Sequence, residues 1–358
     1  MKNKHLALIS SDKKPGGISN MIGIHSAALL NEGYKLSVIL PNNSDSINSI
    51  ENCIKDIKIK NYDITIYKFD WLDNILLKLA HSQWISKILN KVDACFVHNA
   101  RLIPTIKKKS LIPVFAVNHT AKLSQLKYYN QANIIFSVNK NINTQLINSG
   151  VSKNKCVYCP NVLLSLPDLS KDHKPNKNIV IGALGRMVEK KGFFDFIDAL
   201  KILKNKGFSF KAVLAGHGEL YEKLKYTSQD LPELDFPGWI SDKKTFFDKI
   251  DIFCQPSHFE PFGLTVIEAM ANAKPVISTN CDGPIEIINN DGKNGLLVPQ
   301  KNPEKMAKAI IELIQNPEIQ KNMSVAARKH IRKYYSLASL QNILDININN
   351  YFQSKHDK

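Results

Sequence analysis

The stretch NIVIGALGRMVEKKGFFDFIDALKILKNKGFSFKAVLAGHGE, residues 178–219, contains two predicted β-strands that flank one predicted helix. Residues 178–186 form an apolar run that ends in a glycine turn, and residues 210–219 repeat this pattern. The helix is predicted at about 192–206, where apolar residues recur with a helical period. A strand, a helix and a second strand in this order are typical of a parallel sheet covered by helices.

The same alternation runs through the whole chain of 358 residues, which is too long for one ordinary hydrophobic core. Further strands are predicted from apolar runs at 6–10, 35–41, 94–99, 114–119, 134–139, 156–161, 251–257, 275–279 and 295–299. We therefore predict an α/β fold with two Rossmann-like, doubly wound domains that face each other across a cleft. The predicted boundaries are 1–163 for the N-terminal domain, 164–177 for a linker, 178–333 for the C-terminal domain, and 334–358 for a helix that crosses back to the N-terminal domain.

The net charge of +16 is concentrated in the first half of the chain. Residues 1–175 contain 23 Lys and Arg against 11 Asp and Glu, whereas residues 176–358 contain 25 against 21. This excess predicts an anionic partner for the N-terminal domain, although compositional drift toward Lys and Asn is an alternative explanation. A lipid surface or a phosphorylated acceptor fits better than nucleic acid, because aromatic and basic residues are not interleaved.

No apolar run approaches the roughly 20 residues that a membrane-spanning helix needs, so we expect a cytoplasmic protein. Residues 75–91, ILLKLAHSQWISKILNK, are predicted to form a basic amphipathic helix that contains Trp84. Such a helix binds the interface of a membrane or packs on a sheet with its apolar face, and the sequence leaves both alternatives open. In the first case the protein would associate peripherally with the inner face of the plasma membrane.

Two glutamates stand out in HFEPFGLTVIEAM, residues 258–270. Glu268 lies in an otherwise apolar helical pattern, and buried carboxylates are rare unless a partner satisfies them. Glu260 comes before a glycine turn that begins this helix, so both carboxylates are predicted to reach one ligand. Carboxylates accept hydrogen bonds from the hydroxyls of a sugar. The alternatives are a capping carboxylate and a core ion pair, for example with Arg186.

Two other turns are candidates for binding an anion. Residues 13–17 place Gly16 and Gly17 at the start of the first helix, where backbone amides favour an anionic group. Arg186 and Lys191 occupy the turn between a strand and a helix, where two cations can neutralise a diphosphate. Solvated turns of this composition are common, so neither stretch is decisive by itself.

The motif E-P-F-G-L-T-V-I-E-A-M resembles the E-x7-E motif of the family-4 retaining glycosyltransferases, which have the GT-B fold. Supporting motifs follow in the family's order: G-R-x-x-x-x-K-G at 185–192, G-x-G-E at 216–219, F-P-G-W-I-S-D at 236–242, D-G-P-I-E-I-I at 282–288 and N-G-L-L-V-P at 294–299. They cover about 120 residues of the donor-binding domain. The resemblance is looser in the N-terminal half.

The resemblance implies a role for each matching residue. Arg186 and Lys191 would bind the donor's diphosphate, Glu268 the ribose hydroxyls, and Glu260 the hydroxyls of the donor sugar. The other implied donor-binding residues are Gly16, Gly17, Gly216, Ile240, Phe262, Gly263 and Leu264. His119 resembles the histidine beside the donor sugar, and His98 is a rival in an equivalent position. His98 and Asn99 are the acceptor-side candidates, although many relatives have a second histidine where this chain has Asn99.

The implied function is retaining transfer of a hexose-type sugar from a nucleoside-diphosphate sugar to a glycan or lipid-linked acceptor, in cell-envelope polysaccharide or lipopolysaccharide synthesis. Glu260, His119, Arg186 and Lys191 are the predicted catalytic residues. No cofactor or metal is expected, because Arg186 and Lys191 can stabilise the departing diphosphate without a metal and the chain contains no D-x-D motif. The alternatives are a sugar phosphorylase or nucleotide-sugar epimerase on the same fold, and a non-catalytic subunit that binds nucleotide sugars.

Overall fold

The structure is a computed structural model that describes residues 4–14, 16–70, 83–120, 122–167, 178–289 and 291–356. The chain divides into two compact units. The first comprises Met1–Ser165 and Tyr335–Lys358, and the second comprises Leu166–Tyr334.

The first unit contains a parallel sheet of seven strands in the order β3-β2-β1-β4-β5-β6-β7. The strands are β1 His5–Ile9, β2 Lys35–Pro41, β3 Ile64–Phe69, β4 Ala94–Val97, β5 Val114–Asn118, β6 Ile134–Ser137 and β7 Cys156–Tyr158. Its helices are α1 Gly17–Asn31, α2 Asp45–Asp56, α3 Gln83–Leu89, α4 Ile103–Lys109, α5 Leu126–Tyr129, α6 Lys140–Asn148 and the last helix of the chain.

The second unit contains a parallel sheet of six strands in the order β10-β9-β8-β11-β12-β13. The strands are β8 Val180–Leu184, β9 Lys211–Ala215, β10 Leu234–Asp235, β11 Ile252–Gln255, β12 Val276–Thr279 and β13 Leu296–Val298. Its helices are α7 Phe193–Asn205, α8 Tyr221–Thr227, α9 Lys243–Lys249, α10 Leu264–Ala271, α11 Pro284–Ile287, α12 Pro303–Gln315 and α13 Pro317–Tyr334. Helix α14 Leu337–His356 follows and belongs to the first unit.

Both sheets reverse their strand order beside the first strand of the unit, which is the doubly wound pattern. The predicted α/β fold with two such domains is therefore confirmed. Most predicted strands are present because they are buried on both faces and read as continuous apolar runs. The sequence analysis missed β3 and β10: β3 is an edge strand with exposed positions, and β10 has only two residues.

Helix α14 packs on the sheet and on α1 of the first unit. The Phe115 ring lies 5.3 Å from the Tyr351 ring and 6.3 Å from the Phe352 ring, both in edge-on geometry. The Tyr34 hydroxyl donates to Asp345 at 3.0 Å, and the Asn133 amide donates to the Tyr351 hydroxyl at 3.0 Å. This helix begins at Leu337, three residues after the predicted start, because α13 continues to Tyr334.

Only part of the predicted helix at 75–91 falls within the described residues, since residues 71–82 lie outside them. In α3, Ile85, Ile88 and Leu89 are buried within the first unit. This part of the apolar face therefore packs in the core and is not available to a membrane. Across the described ranges, no helix is both long and apolar enough to cross a bilayer.

Candidate functional site

The carboxyl ends of β8 and β9 approach each other at glycines. Gly216 has a φ of 127°, and a Cβ at this position would lie 1.9 Å from the carbonyl oxygen of Gly185. The Gly216 amide donates to the Gly238 carbonyl at 2.8 Å, which brings the segment with Ile240 to the same edge of the sheet. Three of the motifs that the sequence analysis singled out are therefore neighbours in the fold.

Lys191 lies in a tight turn, Glu189–Lys191, immediately before α7. Gly192 has a φ of 65°, and a Cβ there would lie 2.0 Å from the Pro256 carbonyl oxygen. The amides of His258 and Phe259 both donate to the Lys190 carbonyl, at 2.8 and 3.2 Å. These contacts hold the turn after β8 against the loop after β11.

This arrangement brings Lys191 and Glu260 together. Lys191 Nζ lies 2.5 Å from Glu260 Oε2, and the two side chains are only 17% and 13% exposed. The Gly283 amide donates to the backbone carbonyl of Glu260 at 3.0 Å and holds the loop from the other side. The sequence predicted that both residues contact one ligand, but it did not predict that they form an ion pair with each other.

Glu268 lies on α10, which begins after Gly263 with a φ of 105°. Its Oε1 accepts a hydrogen bond from Lys243 Nζ at 2.7 Å. Its Oε2 is buried and has no partner within the described residues. The partner of the carboxylate is thus Lys243 of α9 and not Arg186, and Oε2 is a buried acceptor without a partner in this part of the chain.

Arg186 is exposed, and within the described residues no carboxylate forms an ion pair with it. The amides at the start of α10, near Phe262, Gly263 and Leu264, belong to a helix N-terminus, where amides lack acceptors within the helix. A free guanidinium and a helix N-terminus both favour an anionic group.

One residue pair beside this site was missed by the sequence analysis. His258 Nε2 lies 2.7 Å from Asp195 Oδ2, and both side chains are about one-fifth exposed at 20% and 19%. Asp195 is in the first turn of α7, so the pair links this helix to the loop that carries Glu260. Its members are 63 positions apart, and no local pattern in the sequence connects them.

Three histidines of the first unit form a cluster. His98 Nδ1 and His119 Nε2 are 2.9 Å apart, and their rings stack with centroids at 5.1 Å. His25 of α1 joins them, with its ring 5.2 Å from that of His98. His98 and His119 were rivals in the sequence analysis, whereas the structure joins them directly. His25 was missed because it occupies an otherwise apolar helix.

The environment of this cluster disfavours protonation. Burial lowers the pKa of His25 to about 3, with a smaller effect of the charge on His119. Burial also lowers the pKa of His119 to about 4. The pKa of His98 is lowered well below its usual value by burial and by the other two histidines. His25 Nδ1 and His98 Nε2 are buried without a partner in the described part of the chain.

The remaining candidates of the first unit are Gly16, Gly17 and Asn99. Gly16 precedes α1 with a φ of 153°, and both glycines are exposed at a helix start that has neither a side-chain cap nor an acidic residue. The Asn99 side chain accepts from the Arg101 amide at 3.1 Å and donates to Ser11 at 2.7 Å. Both ends of the Asn99 amide thus hold the turn after β4.

Over the ranges that the structure describes, no group of three or more His, Cys, Asp or Glu side chains is arranged to hold a metal ion.

Comparison with known proteins relates the second unit to one family. Residues 167–330 match the family model described as Glycosyl transferases group 1. The capsular polysaccharide biosynthesis glycosyltransferase CapM of Staphylococcus aureus is 29% identical over 188 residues, which are 51% of this chain and 49% of CapM. The lipopolysaccharide core biosynthesis glycosyltransferase LpsE of Rhizobium meliloti (strain 1021) is 31% identical over 160 residues, 44% of this chain and 46% of LpsE. The chain thus spans about half the length of these relatives.

The fold is shared over almost the whole chain. The crystal structure of Anabaena Alr3699/HepE in complex with UDP superposes with a TM-score of 0.78 at 17% identity, and it covers 97% of this chain and 100% of that one. Identity this low establishes the fold alone. The GT-B fold that the sequence motifs predicted is confirmed.

Proposed function

We propose, from the match of residues 167–330 to the family model of glycosyl transferases group 1, that the protein transfers a hexose-type sugar from a nucleoside-diphosphate sugar to a glycan or lipid-linked acceptor. The observation that carries the proposal is the ion pair between Lys191 and Glu260. Glu268 lies in the same unit, and its buried Oε2 has no partner among the described residues. A nucleotide sugar requires a cation for its diphosphate and acceptors for its hydroxyls.

The chemistry follows from the charge that develops during transfer. Cleavage of the bond between sugar and phosphate places negative charge on the departing diphosphate, and fixed cations at that point lower the barrier. Arg186 and Lys191 would supply these cations without a metal. Glu268 would accept from the ribose, and Glu260 from the donor sugar, beside the amides of Phe262, Gly263 and Leu264. Ile240 and Gly216 would lie near the nucleobase end.

We propose that transfer retains the anomeric configuration, as the family resemblance implies, with no metal ion and no separate cofactor. Front-face attack needs no protein nucleophile, which agrees with the ion pair that holds Glu260. In the first unit His119 would contact the sugar, His98 and Asn99 would be on the acceptor side, and Gly16 and Gly17 would contact the phosphates. Proton NMR of the product of transfer from an α-linked donor tests retention, and a β-linked product would contradict it.

The acceptor is proposed to be anionic or attached to an anionic surface. From Ala94 to Pro167 the chain contains nine Lys and Arg and no Asp or Glu. Arg101, Lys108 and Lys122 are among the exposed members of this set. Relatives of the chain are named for capsular polysaccharide and for lipopolysaccharide core biosynthesis. A role in assembling cell-envelope polysaccharide or lipopolysaccharide, at the inner face of the membrane, fits this charge.

Turnover of a panel of UDP-, GDP- and ADP-sugars tests the activity. We expect at least one donor to release its nucleoside diphosphate, and Lys191→Ala to lower kcat by about 100-fold, the usual effect of removing a group that stabilises transition-state charge. Lys293→Ala is the matched control, because Lys293 pairs with Asp291 on the surface of the same unit and is 78% exposed. Equal turnover of both variants would contradict the assignment of Lys191.

The same assay separates the alternatives. Phosphate-dependent cleavage of a disaccharide would indicate a phosphorylase, and interconversion of nucleotide sugars without an acceptor would indicate an epimerase. Binding of nucleotide sugars without turnover of any donor would indicate a non-catalytic subunit.

A further inference from the structure

Gln255 is a buried polar residue beside the candidate site that no sequence motif singled out. It is the last residue of β11 and is only 1% exposed, while the other residues of this strand are the apolar Ile252, Phe253 and Cys254. A buried amide is costly unless its donors and acceptor are satisfied. Since a leucine of similar size would suit an apolar strand, the glutamine requires an explanation in its hydrogen bonds.

All the side-chain hydrogen bonds of Gln255 are directed to the loop and helix that follow β11. Its Nε2 donates to Ser257 Oγ at 2.9 Å and to Glu260 Oε2 at 3.0 Å. Its Oε1 accepts from the Thr265 hydroxyl at 2.9 Å. Thr265 is in the first turn of α10, so the amide connects the strand end, the carboxylate and the helix start.

The Glu260 carboxylate determines which way the amide faces, because its oxygens can only accept hydrogen bonds. The reverse orientation would direct the amide oxygen at this carboxylate, where two acceptors repel. With Nε2 directed at Ser257 and Glu260, Oε1 accepts from the Thr265 hydroxyl, which can act as donor or acceptor. Thr265 therefore satisfies the amide oxygen and holds the side chain with its donors toward Glu260.

We propose that Gln255 is a positioning residue that fixes the Glu260 carboxylate for the hydroxyls of the donor sugar. This inference rests on the proposed function. Glu260 Oε2 receives hydrogen bonds from both Lys191 and Gln255, which restrains rotation of the carboxylate. Oε1 has no donor within the described ranges, so it is the oxygen available to a sugar hydroxyl. In this proposal Lys191 contacts the diphosphate as well as Glu260, whereas Gln255 contacts only the carboxylate at the sugar end of the donor.

Gln255→Leu tests this division because it removes the donor while keeping the approximate volume. We expect kcat/KM for the preferred nucleotide sugar, with UDP-glucose as the first probe, to fall about tenfold or more, as for loss of a hydrogen bond to a charged group. The affinity for the free nucleoside diphosphate, with UDP as the probe, should change less than about twofold. A general loss of structure would weaken both, because Lys191 would also be displaced.

Two further variants keep the test decisive. Thr265→Val removes the hydroxyl that satisfies Gln255 Oε1 and so loosens the amide. It should give the same pattern with a smaller loss, even if Gln255→Leu does not fold. Gln320→Leu is the matched control: Gln320 is also a buried glutamine of the second unit, 8% exposed, but it donates to the Leu313 carbonyl and does not contact Glu260. This control should retain the kcat/KM of the wild type.

The outcomes distinguish this inference from the proposed function. Wild-type kcat/KM in both Gln255→Leu and Thr265→Val, or an equal loss of sugar turnover and UDP affinity, would overturn the positioning role while leaving the glycosyltransferase activity intact. If the wild-type protein turned over no donor at all, the proposed function would fail and this inference with it.

Discussion

At the scale of single residues, Glu268 is the one charged side chain of α10, and Lys243 of α9 is the partner of its Oε1. The position of this glutamate in an apolar helix predicted that the carboxylate needs a partner. In the structure Lys243 donates to Oε1, whereas Oε2 has no partner among the described residues. The identity of that partner was beyond prediction because Lys243 is 25 positions away on another helix. The hydrogen bonds of Gln255 could not be predicted either, because they join it to the following loop and helix, and hydrophobic periodicity carries no information about such contacts.

The glycine at position 192 yields a prediction about backbone packing. Gly192→Ala must adopt a left-handed conformation and also place a Cβ 2.0 Å from the Pro256 carbonyl oxygen. Gly207→Ala is the matched control, since Gly207 has a φ of 79° but a Cβ added there would meet no heavy atom within 4 Å. The control should lose about 1–2 kcal/mol, the cost of a left-handed residue, and Gly192→Ala clearly more. Urea unfolding measures both, and equal losses would contradict the close approach.

At the scale of secondary-structure elements, the agreement between sequence and structure was best where strands are buried on both faces. Strands β2 and β8 read as continuous apolar runs, and both were predicted. Helix boundaries were predicted less accurately where two helices follow each other closely. This is the case for α13 and α14, which are separated only by Tyr335 and Ser336. The contact of α1 with the segments after β4 and β5 through three histidines could not be predicted, because His25 is far from His98 and His119 in the sequence and no local pattern connects them.

This histidine cluster predicts how the stability of the first unit depends on pH. The folded state keeps His25, His98 and His119 neutral, since their pKa values are lowered by burial, whereas in the unfolded chain they titrate near their usual value of 6.5. The unfolded state therefore binds more protons below pH 6.5, and stability falls as the pH decreases. Each histidine contributes at most about 1.4 kcal/mol per pH unit in this range.

Urea unfolding of the wild type and His25→Leu between pH 7.5 and 5 tests this account. The variant should lose stability less steeply with decreasing pH, by about one bound proton, because only two of the three histidines remain. Parallel pH profiles of the two proteins would show that His25 is not held neutral by the fold.

At the scale of the whole molecule, the alternation of apolar runs and helical patterns predicted two doubly wound units, and the resemblance of the motifs implied the GT-B fold. The location of the candidate site at these strand ends follows from the topology of parallel sheets. The asymmetry of charge predicts an anionic partner for the first unit, and this stays a prediction. The proposed acceptor contacts lie in the first unit, where the resemblance is looser, so the motifs do not specify the acceptor.

The central claim is that the second unit binds a nucleoside diphosphate through Glu268 and the cations of the neighbouring turn. Titration calorimetry of UDP, GDP and ADP with the wild type and Glu268→Ala measures this most directly. We predict that at least one nucleotide binds the wild type and that its Kd rises by about tenfold or more in Glu268→Ala, a loss of about 1.4 kcal/mol. An unchanged Kd in Glu268→Ala, or no binding of any of the three nucleotides to the wild type, would contradict the claim.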